Sequence, residues 1–549
     1  GDFILANAAY SLRSLGTRQA TIPNDVAPLN ADTVVPASGK YVVQVRRNVN
    51  GDQKSFTADE VTDGTLLSFV NESFTSSLPL DVQGSAAAAY SLRNLKTGGT
   101  SVTSSGDTGG DTTGQFVVQV RRSSDDALKS FTATEVTDGT LLAFTNADYV
   151  KYTSDFSAGT NGWQDSLDDL TAAGNIDGIG GLDDNLRLTI GSATSEHRAS
   201  KSHILPVSQK INFSIRVFIP STNSVVDSFR IADASGTQII ASTTPAQDQW
   251  VTVTASNVTP TNSSGQLRIF LQDGGVNNFT GNGSDVIYVR EVTVTQVTSD
   301  GFVETWYDQS GSSNNAVQAT AANQPKIVEA GALNNNEVGK PALKLDKFKS
   351  FALTSEIDLS SNFSIFGLID ADSDDSTGYR DGSDNPLIGR SGTNLQTFGI
   401  GTDSAGSATD MTIRFTGSPT TVTEGSIGAG KSSTRTFIYN GSTVSGFDDG
   451  SLTDNQITAS GTLQINQLFA RRDANDAFET FDGTTAELII YDTDQTDKRR
   501  AIEESIASNY SITLSSSRDG FVKTWYDQSV TTQAGDTATG NHATQATAA

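Results

Sequence analysis

Two tryptophans with polar neighbours are the residues of this chain best suited to holding a sugar. Trp163 sits in SDFSAGTNGWQDS (Ser154–Ser166), with Asn161 and Asp165 beside it and Asp155 just upstream; Trp250 opens DQWVTVTASNVT (Asp248–Thr259). An indole face stacks on the apolar C–H side of a pyranose, while rim Asp and Asn, Asp273 among them, bind its hydroxyls. Trp163 follows a glycine in a loop-like stretch and is expected at the surface. Trp250 begins a strand and is expected nearer a core. The carboxylates of the opening loop also suit a calcium ion.

A second constellation is purely acidic. Asp370–Asp384 reads DADSDDSTGYRDGSD, six aspartates in fifteen residues. Asp370, Asp372, Asp374, Asp381 and Asp384 offer hard oxygen ligands at short spacing, the set Ca²⁺ takes. The loop lacks the sixth-position glycine and twelfth-position glutamate of an EF-hand, and the plain alternative is a solvated loop.

The phrase GFVETWYDQS at Gly301–Ser310 returns as GFVKTWYDQS at Gly520–Ser529. Asp308 and Asp527 beside an aromatic pair invite a glycosidase reading, but that chemistry needs a second carboxylate about 5–9.5 Å away, and no partner is marked by spacing. The alternative is structural: Trp306 and Trp525 anchor cores while the neighbouring Asp and Gln fix a turn. We favour the structural reading. The pairs Arg46–Arg47, Arg121–Arg122 and Arg471–Arg472 lie in or beside strands, where alternate arginines face solvent or carboxylates. His197, His203 and His542 are too scattered to make a metal site.

The elements that must position these residues are strands. Alternating or β-branched runs recur at Ile211–Ile219, Gln266–Leu271, Val286–Val294 and Glu487–Tyr491, between Gly-, Asn- and Asp-rich turns. That pattern predicts sandwiches or jelly rolls. One helix is expected, Asp497–Ser508, capped by Thr496 with Ile502 and Ile506 one turn apart. A chain of 549 residues holds several such bodies. Its net charge of −26 argues against a nucleic-acid surface. It has no cysteine, hence no disulfide and no thiolate chemistry. No apolar run approaches the ~18 residues that span a bilayer. Nothing at its start reads as a signal peptide. Residue 1 is Gly rather than Met and the chain stops inside a motif, which suggests a trimmed chain.

Duplication sets the organisation. Ala9–Leu12, Tyr41–Arg47 and Ser55–Phe69 return in order as Ala89–Leu92, Phe116–Arg122 and Ser130–Phe144. Residues 1–85 form a first lead-in, residues 86–148 with 300–513 one full sandwich, residues 149–299 an inserted jelly roll, and residues 514–549 the start of a further module. The lead-in lacks its own WYDQS phrase and the last WYDQS phrase lacks a lead-in. A nested arrangement is therefore preferred slightly to a tandem array.

Asp300–Val328, AYSLR at Ala89–Arg93, VVQVRRSSDDA at Val117–Ala127 and the Ala486–Tyr510 stretch together resemble the catalytic-domain module of α-L-arabinofuranosidase B. They are similar too to modules of marine bacteriophage tail-fibre and virion-appendage proteins. The resemblance implies a concanavalin A-like (LamG-like) β-sandwich. Residues 149–299 resemble a galactose-binding-like carbohydrate-binding jelly roll, on the F…GW opening and the late W-x-x-V strand. The enzyme family's vicinal cysteine pair is missing here, and its catalytic carboxylates map onto no residue by motif.

The resulting expectation is an all-β, multidomain protein with one short C-terminal helix. Its role would be structural and adhesive, presenting sugar-binding modules at an extracellular or virion surface to a cell-surface glycan, in a homo-oligomer or larger appendage, without membrane insertion and with calcium as the one expected cofactor. The alternatives are an arabinofuranosidase-like glycoside hydrolase and a purely structural appendage subunit.

Overall fold

Strand alternation settles the folding of the chain's centre. In Ile211–Phe218, the side chains of Ile211, Phe213, Ile215 and Val217 enter one core while Asn212, Ser214 and Arg216 point away. The computed structural model describes residues 10–13, 22–23, 38–39, 41–47, 53–71, 77–165, 169–346, 348–371, 385–390, 397–402, 408–415, 418–422, 432–452, 457–458, 461, 463–470, 481–515, 520–526 and 543–545. Asp372, Asp374, Asp381, Asp384, Asp527, Arg471, Arg472 and His542 lie outside these residues.

The architecture is all-β, with every pairing antiparallel. Residues 149–296 build a jelly-roll body of two sheets. One sheet runs Leu170–Ile176, Asn185–Ile190, Val286–Gln296, Ile211–Phe218 and Val251–Val258, with Tyr149–Ser154 added along Val286–Gln296. The other runs Gln164–Asp165, Arg198–Lys201, Leu267–Gln272, Ser228–Asp233 and Gln238–Thr243. Between them lies a single apolar core that includes Trp163, Phe213, Phe229 and Ile269.

The surrounding sandwich is drawn from both sides of that body. One layer places Ala88–Ser91 beside Gly483–Tyr491, then Phe363–Ala371, Ser433–Tyr439 and Thr443–Asp448. The other places Leu128–Thr132, Phe116–Arg122, Gly301–Trp306, Ala316–Val317, Phe351–Asp358 and Gln464–Leu468 in succession. Tyr90, Trp306, Phe351, Phe363, Phe437 and Ile490 fill the space between the layers. The chain leaves this sandwich at Thr145 and rejoins it at Gly301. A Cβ at Gly301 would stand 2.9 Å from Thr145 Cγ2, so the glycine lets the two junctions touch. Tyr149 pairs with Gln296, which keeps the ends of the intervening body together.

The first lead-in and the strand Gly520–Trp525, which opens the last repeat of the phrase, share one sheet. Tyr41–Arg47 pairs with Gly520–Trp525, Val43 opposite Trp525 and Arg47 opposite Gly520. Phe116–Arg122 pairs with Gly301–Trp306 in the same register, Val118 opposite Trp306 and Arg122 opposite Gly301. The duplicated sequence therefore duplicates a pairing between segments hundreds of residues apart.

The helical content departs from expectation in two ways. Each SFTA-x-EVTDGTLL-x-F repeat ends in two short helices, Ala58–Thr62 with Thr65–Asn71 and Ala133–Thr137 with Thr140–Thr145. Their signal is a capping box, Thr57 with Glu60 and Thr132 with Glu135, in which side chain and backbone satisfy each other reciprocally. The C-terminal helix is Arg499–Asn509, and Thr496 does not cap it. The Thr496 amide and hydroxyl instead donate to Asp494 at 2.8 and 2.6 Å, closing a turn ahead of the helix, while Asp497 pairs with Arg46. Ile502 and Ile506 are buried as the spacing predicts.

Candidate functional site

The two tryptophans exchange roles. Trp163 is 1% exposed, packs in the jelly-roll core and donates its indole N–H to the Tyr152 hydroxyl at 3.0 Å. It cannot stack on a sugar, and the surface expectation is corrected. The glycine before it turns the chain inward, because the indole is the largest apolar group available to close that end of the core. Trp250 is half-buried on the opposite sheet, outside the core.

The expected rim residues do not gather around either indole. Asn161 adopts φ 51° and donates to Ser154 Oγ, closing the loop. Asp165 accepts the Leu170 amide at 3.1 Å. Asp273 lies past the end of Leu267–Gln272, whereas Trp163 sits by Lys201, which pairs with Leu267 at the other end of that strand. Asp155 follows Ser154, which pairs with Val292, and so arrives near Arg290; hydrogen bonds from Ser157 first, with that arginine's charge contributing, lower its carboxyl.

What surrounds Trp250 was not legible as a motif. On the solvent side of the six-stranded sheet, register aligns Arg187 with Tyr288 and Tyr288 with Phe218. Phe218 stands beside Trp250, with ring centroids 5.6 Å apart, and Tyr288 lies 6.2 Å from Phe218. Arg290, Arg216 and Thr252 form the adjacent row across the same strands. Both guanidinium groups approach the Trp250 ring, at 5.8 Å from Arg216 and 5.9 Å from Arg290. Aromatics in phase with the outward-facing polar residues, Phe218 with Asn212, Ser214 and Arg216, and Tyr288 with Arg290, were the available signal.

The loop after Ile176 holds the indole in place. The Trp250 N–H donates to Ile179 O at 2.9 Å. Gly180, at φ +57°, lies so close that a Cβ there would stand 2.9 Å from Trp250 Nε1 and 3.1 Å from Phe218 Cε2. The loop is itself tied by Asn185, whose amide donates to Ile176 O and Leu182 O. Such anchoring fixes the ring orientation before any ligand arrives, which lowers the cost of binding.

The WYDQS residues form a clamp. Trp306, Tyr307, Asp308 and Gln309 are all buried. Asp308 accepts the amides of Ala89 (2.9 Å), Ser310 (2.9 Å) and Asn314 (3.0 Å) and the Ser310 hydroxyl (2.8 Å). Burial pushes its carboxyl above the usual range, against those donors. Gln309 accepts the Leu95 amide and donates to Ser91 O and Arg93 O. The phrase thus staples the AYSLR strand into the sandwich. Glu487 is equally occupied, held by Arg93, Ser91 and Tyr510.

Asp370 ends the Phe363–Ala371 strand opposite Thr484 and acts electrostatically on Arg435, whose guanidinium also pairs with Asp448 at 2.9 Å. Among the described residues, no cluster of three His, Asp or Glu side chains could hold a metal. His197 is buried against Phe279, its Nδ1 3.0 Å from Asp169 O. No helix among the described residues is long and apolar enough to cross a membrane.

No protein-family model matches this chain, and no curated protein matches it. Among solved structures, it is similar to the CBM22-1 xylan-binding domain of Xyn10C from Paenibacillus barcinonensis, at 15% identity over 28% of this chain and 97% of that one, with TM-score 0.22. The CBM22-1–CBM22-2 tandem of the same protein matches at 12% identity over 64% of this chain and 98% of that one, with TM-score 0.24. The mannan-recognising module TmCBM27 matches at 14% identity over 28% and 99%, with TM-score 0.20. What this jelly roll can bind is decided by its own side chains.

Proposed function

We propose that the chain is a non-enzymatic glycan-binding protein of a surface appendage, and that the solvent face bearing Trp250 and Tyr288, backed by the buried Phe218, is its sugar platform. The carrying observation is the aromatic row itself. Tyr288 and Trp250 stand half-buried on either side of the buried Phe218 ring, Trp250 locked by the Ile179 hydrogen bond, with guanidinium donors alongside. Stacking surface beside fixed polar donors is what a pyranose requires. Asp308, the carboxylate beside the aromatic pair that invited a glycosidase reading, is committed to holding the sandwich together, as is Glu487.

A glycan-array screen of the full chain, with Trp250→Ala and Trp163→Ala in parallel, tests this reading. Trp250→Ala is expected to lose binding while staying folded, with a smaller drop in unfolding temperature than Trp163→Ala. Trp163→Ala is expected to lower the unfolding temperature. Binding that survives Trp250→Ala in a folded protein would remove the platform.

Display in an assembly is supported by a second surface. Trp525, Phe521 and Val522, with Tyr10 and Leu12, are exposed on the outer unit. Val522 is 49% exposed where its counterpart Val303 is fully buried. An appendage built from repeated copies would cover such apolar residues and would multiply weak sugar contacts. Sedimentation of the purified chain tests this: a strict monomer at all concentrations would leave the display role without support.

A further inference from the structure

Building on the platform reading above, we infer that the glycan it takes is anionic, a sugar chain carrying carboxylates or sulfate esters. Arg216 and Arg290 occupy directly paired positions on neighbouring strands, and like charges so placed repel. Both converge on one ring, that of Trp250. A third arginine, Arg187, stands across from Tyr288 in the aromatic row. The chain as a whole carries −26, and residues 149–299 hold nine Lys and Arg against fourteen Asp and Glu. Within that segment, three arginines gather on one face of one sheet.

Glu291 is the carboxylate that forms ion pairs with these arginines among the described residues. Glu291 sits at a bulge with φ 51°, 2.9 Å from Arg290 Nε and 3.4 Å from Arg216 Nη1, and relieves that pair. Arg187 has no such partner among the described residues. The other carboxylates near the face serve local turns: Asp155 takes the Ser157 amide (3.1 Å), Asp183 the Gly178 amide (2.9 Å) and Asp177 the Asp184 amide (3.2 Å).

The chemistry that fits is a pyranose stacked on the indole or phenol with its acidic substituent at the ring edge, directed to a guanidinium. The planar fork of arginine matches a carboxylate with two parallel hydrogen bonds, so a uronate is expected first and a sulfate ester second.

The test is calorimetric titration of the full chain at about 0.15 M salt, where long-range repulsion from its net charge is screened. Three probes share one backbone: an oligogalacturonate, the same oligosaccharide with its carboxyls reduced to alcohols, and that reduced form after O-sulfation. A charged form is expected to bind roughly tenfold or more tighter than the reduced one. Arg187→Gln and Arg216→Gln should erase that advantage while retaining binding of the reduced form, and Trp250→Ala should abolish both. Equal binding of charged and reduced forms overturns the anionic inference and leaves the sugar platform standing. Failure of all three probes, together with a blank glycan array, overturns both.

Discussion

Arg93 grips Glu487 with two hydrogen bonds, Nε to Oε2 at 2.8 Å and Nη2 to Oε1 at 2.9 Å, around a carboxylate fully shielded from water. Ser91 and Tyr510 add their hydroxyls at 3.1 and 3.4 Å, and Arg93 also reaches Ser505 O in the C-terminal helix. One ion pair thus joins the AYSLR motif, the Gly483–Tyr491 strand and the helix. Arg93→Ala is expected to destabilise the chain by roughly 3–5 kcal/mol, because it strands a buried charge. Arg93→Met combined with Glu487→Leu should recover most of that loss. Urea midpoints of the parent and the two variants check this, and a single variant as stable as the parent would show the pair to be dispensable.

Trp306 and Trp525 give the same motif two different weights. Trp306 is fully buried against Tyr90, Phe351 and Phe469, whereas Trp525 is 40% exposed and, among the described residues, meets the Tyr10 ring at 5.7 Å. Trp306→Ala should cost about 3–5 kcal/mol through the cavity it leaves. Trp525→Ala should cost about 1 kcal/mol or less, since little packing is lost at a solvent-facing ring. Thermal unfolding of both separates them, and equal losses would mean that Trp525 is covered in solution.

Asp233 governs an acid limb of stability. Burial raises its carboxyl, but Ser235, Thr261, Thr237 and Asn262 donate to it and hold it from an ordinary 3.8 down to about 2. Its folded value is therefore below its unfolded one, so the stabilisation is complete above about pH 4–5 and is lost as pH falls toward 2. Asp233→Asn should be about 2 kcal/mol less stable than the parent at neutral pH and converge with it near pH 2. Parallel stability profiles for the two proteins would contradict this.

Calcium at the acidic loop is a matter for direct measurement. If Asp370, Asp372, Asp374, Asp381 and Asp384 take the ion, millimolar Ca²⁺ should raise the unfolding temperature and EDTA should reverse it. The Asp370 end of the loop already lies within electrostatic reach of the buried Arg435. An unchanged thermogram with Ca²⁺ would assign these carboxylates to solvent.

The strands were legible because alternation in Ile211–Phe218 and Val286–Gln296 is a local property: successive side chains must face opposite sides of a sheet. The duplicated phrases were legible as duplicates, but their repetition could not say that Trp306 would be buried and Trp525 left at the surface. The short helices carried a capping-box signal that the run of β-branched residues obscured. Only the tertiary structure could decide which tryptophan is available. Trp163 and Trp250 are chemically alike, and their fates depend on which sheet face each side chain leaves by, which register sets. The same holds for Arg187, Arg216, Arg290, Tyr288 and Phe218. They come from three strands spread over about a hundred residues, and their adjacency is created by hydrogen-bonded pairing, which no single stretch of sequence records.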